Sequence, residues 1–195
     1  MDNYNTLIID TTREQLVVIA TYKGKQASRA LAIDAKKHQP LLLENIDLVL
    51  NELGICLKDI DYFSAVVGPG SFTGIRIGIS TVNAFHLVTS KPLVGVNFFE
   101  LMAYNEARES LLLIDAGRGN YYSAKLSGSK LDMGYLTAEE FRECKAEVKL
   151  FDKANTYIPE LIAVVFGKIA SGDITTTSLA PMYLRKSQAE REAGV

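Results

Sequence analysis

The stretch GPGSFTGIRIGIS at residues 68–80 combines a glycine turn with the start of a helical segment, so an anion-binding turn is the first chemistry it suggests. Unpaired backbone N–H groups and the helix dipole attract a phosphate at such a place. The spacing argues against this, because Gly68, Gly70 and Gly74 lack both the lysine of a Walker A loop and the spacing of the dinucleotide fingerprint. The better interpretation is a tight turn followed by close helix packing, with Thr73 as the N-cap.

A nucleophile and a metal site are the next candidates. Ser71 lies in the glycine turn, but Gly-Ser-Phe-Thr-Gly does not match the G-x-S-x-G elbow of serine hydrolases. The only histidines, His38 and His86, fall on different predicted helices, so the H-x-x-x-H pair of a zinc peptidase is absent. Cys56 and Cys144 share no short spacing. These residues disfavour both a serine hydrolase and a metallopeptidase.

Composition narrows the class of protein. The chain has 195 residues, of which 48% are hydrophobic and 23% charged, enough to bury a core in one domain or two small lobes. A net charge of -2 without a dense basic run argues against strong direct binding of nucleic acid. No apolar stretch approaches the ~20 residues of a membrane span, and MDNYNTLIID has no signal-peptide core. We therefore expect a reduced, cytoplasmic protein that does not enter a membrane.

Strands and helices must position these residues. The first half of the sequence predicts eight such elements. Short valine- and isoleucine-rich runs predict strands, and apolar residues at helical spacing predict helices. In order they are strands at 6–10, 15–22 and 27–33, a helix at 40–53 ended by Gly54, a strand at 62–67, a helix at 73–89, a strand at 93–96 and a helix at 98–108.

The second half repeats this plan in shortened form. It predicts strands at 111–115, 121–126 and 130–136, a helix starting at the capping pair Thr137 and Glu140, a strand at 147–151 and a helix at 159–171 ended by Gly172. We therefore divide the chain into an N-terminal lobe at 1–109, a shortened C-terminal lobe at 110–186 and a flexible polar tail at 187–195.

Residues 68–80 resemble the signature of the TsaB family, also called YeaZ. Other pieces resemble the family in the same order: IDTT at 9–12, HQPLLLENIDLVL from His38, IDAGRGNYYSA from Ile114 and PMYLR at 181–185. The resemblance implies an α/β fold of two ribonuclease H-like lobes, as in the acetate kinase, actin and sugar kinase superfamily. It also implies a non-catalytic subunit that binds and activates TsaD in forming threonylcarbamoyladenosine beside the tRNA anticodon. The implied partners are TsaD, TsaE within the assembled complex, and a second copy of the chain when alone, with tRNA met only indirectly.

The same superfamily implies a nucleotide cleft at two acidic strand ends. Asp10, Thr11 and Thr12 would form a phosphate-binding turn, and Asp115 with Gly117 would occupy the matching place in the second half. Two carboxylates facing one cleft could hold a magnesium nucleotide. Because the chain lacks a late glycine-rich segment for an adenine, we expect no cofactor requirement and only weak ATP or ADP with magnesium at the partner interface. The alternative function is an independent magnesium-dependent ATPase or small-molecule kinase.

The helices at 40–53 and 73–89 resemble the pair that forms the family's partner interface. On this resemblance we predict that Gly74 and Gly78 leave a low ridge for another helix, so that Gly78→Arg would keep the monomer folded and block binding to TsaD. Arg76, near the positive end of the helix dipole, needs a carboxylate or a partner surface. The predicted interface consists of Leu41, Leu43, Ile46, Thr73, Gly74, Arg76, Gly78 and Thr81.

Overall fold

The α/β architecture is confirmed, with two mixed sheets that carry the element order βββαβαβα and then a shortened repeat. The computed structural model describes residues 4–32, 38–104, 106, 108–144, 147–151 and 157–184. No helix within these ranges has both the length and the apolar character needed to cross a membrane. The division at residues 109 and 110 stays a prediction, because later parts of the chain return to the first sheet.

The first sheet has the strand order β3-β2-β1-β4-β5. Its central strand β1 pairs antiparallel with β2 and parallel with β4, and all five of its residues are buried. A strand covered on both faces reads as a continuous apolar run, which is why TLIID lacks alternation. The strands are β1 (Thr6–Asp10), β2 (Gln15–Tyr22), β3 (Lys25–Ala32), β4 (Tyr62–Gly68) and β5 (Leu93–Asn97).

Three helices accompany the first sheet: α1 (His38–Leu53), α2 (Phe72–Thr89) and α3 (Phe98–Ala103). Apolar residues of α1 and α2 pack on one face of the sheet and form a core with Leu7 and Phe63. Asn97 and Glu100 form the predicted capping box at the start of α3. The prediction that this helix reaches residue 108 is wrong, because α3 ends at Ala103.

The second sheet has the order β8-β7-β6-β9, the same plan with four strands among the described residues. Its strands are β6 (Ser110–Gly117), β7 (Asn120–Ser127), β8 (Lys130–Leu136) and β9 (Val148–Leu150). Thr137 and Glu140 cap α4 (Ala138–Glu143) as predicted. The last helix, α5 (Ile158–Ser171), ends at Gly172 with φ +77°, a conformation that favours glycine.

A second core joins the two sheets. It combines the other face of the first sheet with α3, α5 and the inner residues of β6 and β7. The helix α5 contributes Leu161, Val165 and Ile169 to this core, so an element of the second half of the chain packs on the first sheet. The space between the sheets is therefore filled with apolar side chains up to one open end, where the candidate site lies.

The C-terminal segment, residues 173–184, crosses back to the first sheet. Thr175 pairs with Leu93 through two backbone hydrogen bonds, and the Met182 N–H donates to the carbonyl of Val67 at 2.8 Å. The Asn83 side chain bonds both backbone groups of Leu179. The described part of the 181–185 motif, which ends at Leu184, therefore holds this segment against the first sheet. Arg185 and the predicted tail at 187–195 lie outside the described residues.

Candidate functional site

A cleft of about 430 Å³ opens where the two sheets meet. The β1–β2 turn and the start of the glycine turn form one wall, and the end of β6 with aromatic side chains forms the other. The lining residues are Thr12, Arg13, Glu14, Gln15, Ala32, Gly70, Ser71, Ile114, Asp115, Ala116, Tyr122, Phe151 and Tyr157. The strand ends that the sequence marks in its two halves do therefore meet at one cleft.

Asp10 lies at the base of this site, fully buried, and both of its oxygens accept hydrogen bonds. The Thr12 N–H donates to Oδ1 at 2.7 Å, and the Tyr157 hydroxyl donates to Oδ2 at 2.7 Å. Burial, and then the negative charge of Asp10, raise the pKa of Tyr157 well above its ordinary value. Tyr157 therefore stays a neutral donor, and Asp10 ties the β1–β2 turn to the residue that precedes α5.

The other predicted nucleotide residues do not all reach the cleft. Asp115 lines it, exposed, and its Oδ1 accepts from the Gly117 N–H at 2.7 Å. Gly117 has φ +83° and shapes the β6–β7 turn without lining the cleft. The Thr11 hydroxyl donates to the Gly74 carbonyl at 2.6 Å, so this side chain holds the start of α2. Of the five, Thr12 and Asp115 face the cleft and Asp10 supports it.

Arg13 is a site residue that sequence reasoning missed. Its guanidinium carbon lies 3.8 Å from the ring centre of Phe98 and 4.4 Å from that of Phe151. Burial lowers the pKa of Arg13, although Asp10, Tyr157 and Asp115 oppose the shift. Among the described residues, neither Nε nor Nη2 has a hydrogen-bond partner. The available signal was a charged residue in a short turn between two strongly apolar strands.

Within the described ranges, no three side chains among histidine, cysteine, aspartate and glutamate come close enough together to hold a metal ion. A magnesium ion at Asp10 would also have to displace the hydrogen bonds from Thr12 and Tyr157. The carboxylates at the two strand ends thus do not form a ready cation site.

The glycine turn is a capping and packing device. The Ser71 Oγ accepts from the Gly74 N–H at 3.2 Å and makes Ser71 the N-cap of α2, so the prediction of Thr73 at this place is wrong. The Ser71 N–H donates to the Thr12 carbonyl at 2.7 Å. A Cβ on Gly70 would clash with that same carbonyl. The close approach of the two turns explains this glycine better than a bound phosphate does.

The predicted ridge on α2 faces the chain's own first strand. A Cβ on Gly74 would collide with the Thr11 carbonyl oxygen, and one on Gly78 would lie 2.7 Å from the Thr11 Oγ1. Ile46 is likewise buried, in the core beneath α1. The structure therefore contradicts the prediction that these three residues form an open surface, and the prediction that Gly78→Arg would leave the monomer folded loses its structural basis.

Arg76 finds its partners within the chain. Its Nε donates to the Tyr183 hydroxyl at 2.8 Å, and its guanidinium lies 4.3 Å from the ring centre of Phe72. The Tyr183 and Phe72 rings stack with centroids 4.3 Å apart. Aromatic rings of the C-terminal segment and α2, and not a carboxylate, thus satisfy this cation.

The outer side of α1 and α2 remains accessible at other positions. Leu43 is 58% exposed and Leu48 44% on α1, and Leu87 and Val88 are more than three-quarters exposed at the end of α2. Of the remaining predicted interface residues, Thr73 is exposed, and Leu41 and Thr81 are partly buried.

Comparison with known proteins covers most of the chain. Residues 32–165 match the model of a family described as TsaD: tRNA N6-adenosine threonylcarbamoyltransferase. Among solved structures, an uncharacterised protein with similarity to peptidase YEAZ, from Pseudomonas aeruginosa, superposes with a TM-score of 0.76 at 21% identity. This superposition covers 93% of the chain and 100% of the Pseudomonas protein, and it shows a shared fold.

Two curated relatives carry the description tRNA threonylcarbamoyladenosine biosynthesis protein TsaB. The Haemophilus influenzae protein is 25% identical over 152 residues, 75% of the chain. The Escherichia coli protein is 32% identical over 124 residues, 61% of the chain. The matched regions span 64% and 53% of these relatives' own lengths.

Proposed function

Because the chain belongs to the family that the TsaD model describes, and within it to the TsaB (YeaZ) family, we propose that it serves threonylcarbamoyladenosine formation in tRNA as a subunit that binds and activates TsaD. The observation that carries this proposal is the agreement of the curated TsaB relatives with the family match. The net charge of -2 supports an indirect relation to tRNA.

A non-catalytic role is part of the proposal. The described residues contain no cluster of three metal ligands, and the carboxylate of Asp10 is already bonded by Thr12 and Tyr157. An isolated ATPase or kinase would need these groups to bind magnesium and phosphate. We therefore expect no ATP hydrolysis by the isolated chain, and weak binding of ATP or ADP that strengthens when TsaD is present.

The outer side of α1 and α2 is the proposed docking surface for TsaD. Its apolar residues Leu43, Leu48, Leu87 and Val88 are exposed, so the two helices offer apolar area that a partner would bury. Thr73 adds a polar contact, whereas Gly74 and Gly78 act from behind by fixing α2 on β1. A second copy of the chain would use the same surface in the absence of TsaD, and TsaE would join the assembled complex.

Co-expression with TsaD of the same organism tests this docking surface. We expect a mixed complex in size-exclusion chromatography, and we expect Leu43→Glu with Leu48→Glu to abolish it by burying charge in the interface. The matched control is Leu150→Glu on β9, where the side chain is 55% exposed. Separate elution of the wild-type proteins at micromolar concentration, or retention of the complex by the doubly charged variant, would contradict the proposal.

Reconstitution tests the function itself. TsaD, tRNA and the remaining components should form threonylcarbamoyladenosine when the wild-type chain is added and much less when it is omitted or replaced by the doubly charged α1 variant. Product formation independent of the chain would reject the role, even if a complex forms. Calorimetry with ATP and magnesium, on the chain alone and with TsaD, separates nucleotide binding from docking.

A further inference from the structure

The cleft contains a buried cationic group with two unused donors. Arg13 lines the cleft, and its Nε and Nη2 atoms are both inaccessible to solvent and without a hydrogen-bond partner among the described residues. Buried guanidinium groups are normally paired, because desolvation without compensating hydrogen bonds is costly. The rings of Phe98 and Phe151 pack against the guanidinium, with its carbon 3.8 Å and 4.4 Å from their ring centres, and they supply no oxygen or nitrogen acceptor for its N–H groups.

The two unused atoms form one fork. In arginine, the Nε–H and one Nη–H lie parallel on the same edge of the planar group, spaced to meet the two oxygens of a carboxylate or a phosphate. The Thr12 Oγ1, on the same wall of the cleft, is also buried without a partner in the described structure. Within the described ranges, three polar atoms of two consecutive residues thus lack a hydrogen-bond partner that an oxyanion could supply.

Charge around the fork selects among oxyanions. Among the described residues, Asp10 interacts electrostatically with Arg13, and Glu14 and Asp115 line the same cleft, so the described carboxylates outnumber the described cation. A multiply charged phosphate would be repelled by these groups more strongly than a monoanion. The Thr12 hydroxyl suits either ligand, so the charge balance decides for a single carboxylate.

We propose that Arg13 and Thr12 form a binding site for a carboxylate-bearing small molecule in the cleft between the two sheets. The carboxylate accepts from Nε and Nη2 of Arg13, and the Thr12 hydroxyl donates to one of its oxygens. Solvent does not reach the two nitrogen atoms in the present arrangement, so binding includes a small rotation of the Arg13 side chain into the cleft. The inference is independent of the proposed function.

Arginine side-chain NMR tests the site on the wild-type protein, with sodium acetate as the probe at constant ionic strength. The Nε–H resonance of Arg13 should shift and saturate with a dissociation constant on the order of 1 mM. The Nε–H of Arg76, which donates to Tyr183, should stay unchanged. Sodium chloride in place of acetate should cause no saturable shift. An Arg13 resonance that does not respond, or that moves equally in chloride, would overturn the proposal.

Variants and a second probe sharpen the result. Arg13→Lys keeps the charge and removes the fork, so it should weaken acetate binding at least about tenfold, whereas Arg118→Lys, in the exposed β6–β7 turn, should bind as wild type. Thermal melting shows whether each variant is folded. If Arg13→Lys does not fold, the titration of the wild-type protein alone decides whether the site exists. Inorganic phosphate should bind more weakly than acetate. Tighter binding of phosphate would overturn the carboxylate assignment.

Discussion

Asp10 shows how a carboxylate, a group that serves in many active sites, can instead join distant parts of a fold. Its oxygens accept from Thr12, two residues away, and from Tyr157, 147 residues away. The resemblance to the superfamily implied that Asp10 and Asp115 meet at one cleft. It could not assign the role of Asp10, because the donor that occupies its second oxygen comes from a distant part of the chain.

Removal of that donor is expected to destabilise the fold. Tyr157→Phe leaves Oδ2 of Asp10 buried without its partner, which should lower the free energy of unfolding by about 1–3 kcal/mol. The control is Tyr121→Phe, where the ring contact with Phe141 is retained and a change within about 0.5 kcal/mol is expected. Urea denaturation of the two variants is the measurement. Equal stability of both would show that the bond to Asp10 contributes nothing.

At the scale of elements, α2 shows what a helical pattern can and cannot predict. The spacing of Gly74 and Gly78 correctly indicates one small-residue face, and the apolar period predicts the helix to within one residue. The pattern does not say what lies opposite that face. In the structure it is Thr11, whose hydroxyl donates to the Gly74 carbonyl and so requires close approach of the β1 end.

Two glycine-to-alanine substitutions compare this face with an open one. Gly78→Ala places a methyl group 2.7 Å from the Thr11 Oγ1, so overpacking of about 1–3 kcal/mol opposes a helix-propensity gain of about 1 kcal/mol and no stabilisation is expected. Gly167 lies in α5 with nothing within 4 Å of an added Cβ, so Gly167→Ala should stabilise by about 0.5–1 kcal/mol through helix propensity alone. Chemical unfolding checks both. Clear stabilisation by Gly78→Ala would instead support the open, low ridge that the sequence predicts.

At the scale of the whole molecule, the repeat in the sequence predicts two sheets of related order, and the structure has them. The sequence does not predict how the halves are joined, because the joining contacts have no local pattern. The helix α5 and the C-terminal segment both return to the first sheet, and Tyr183 stacks on Phe72 beside Arg76. Long-range packing of this kind follows from shape complementarity between elements that are distant in sequence.

A double-mutant cycle measures one of these joining contacts. Phe72→Ala and Tyr183→Ala should each lower the free energy of unfolding, and their interaction energy should be about 0.5–1.5 kcal/mol, the range of a stacked aromatic pair. Each single variant and the double variant are unfolded in urea under identical conditions. Strictly additive losses would mean that the two rings stabilise the protein separately, and the C-terminal segment would then be held by its backbone pairing alone.

The bridge between Leu93 and Thr175 has a consequence for synthesis of the protein. A ribosome adds about 5–20 residues per second, so the 82 residues from 94 to 175 take roughly 4–16 s to appear. During that time the edge of β5 has no covering strand, and an open edge can pair with another chain. Nascent copies on neighbouring ribosomes are therefore exposed to mispairing at β5 until Thr175 has emerged.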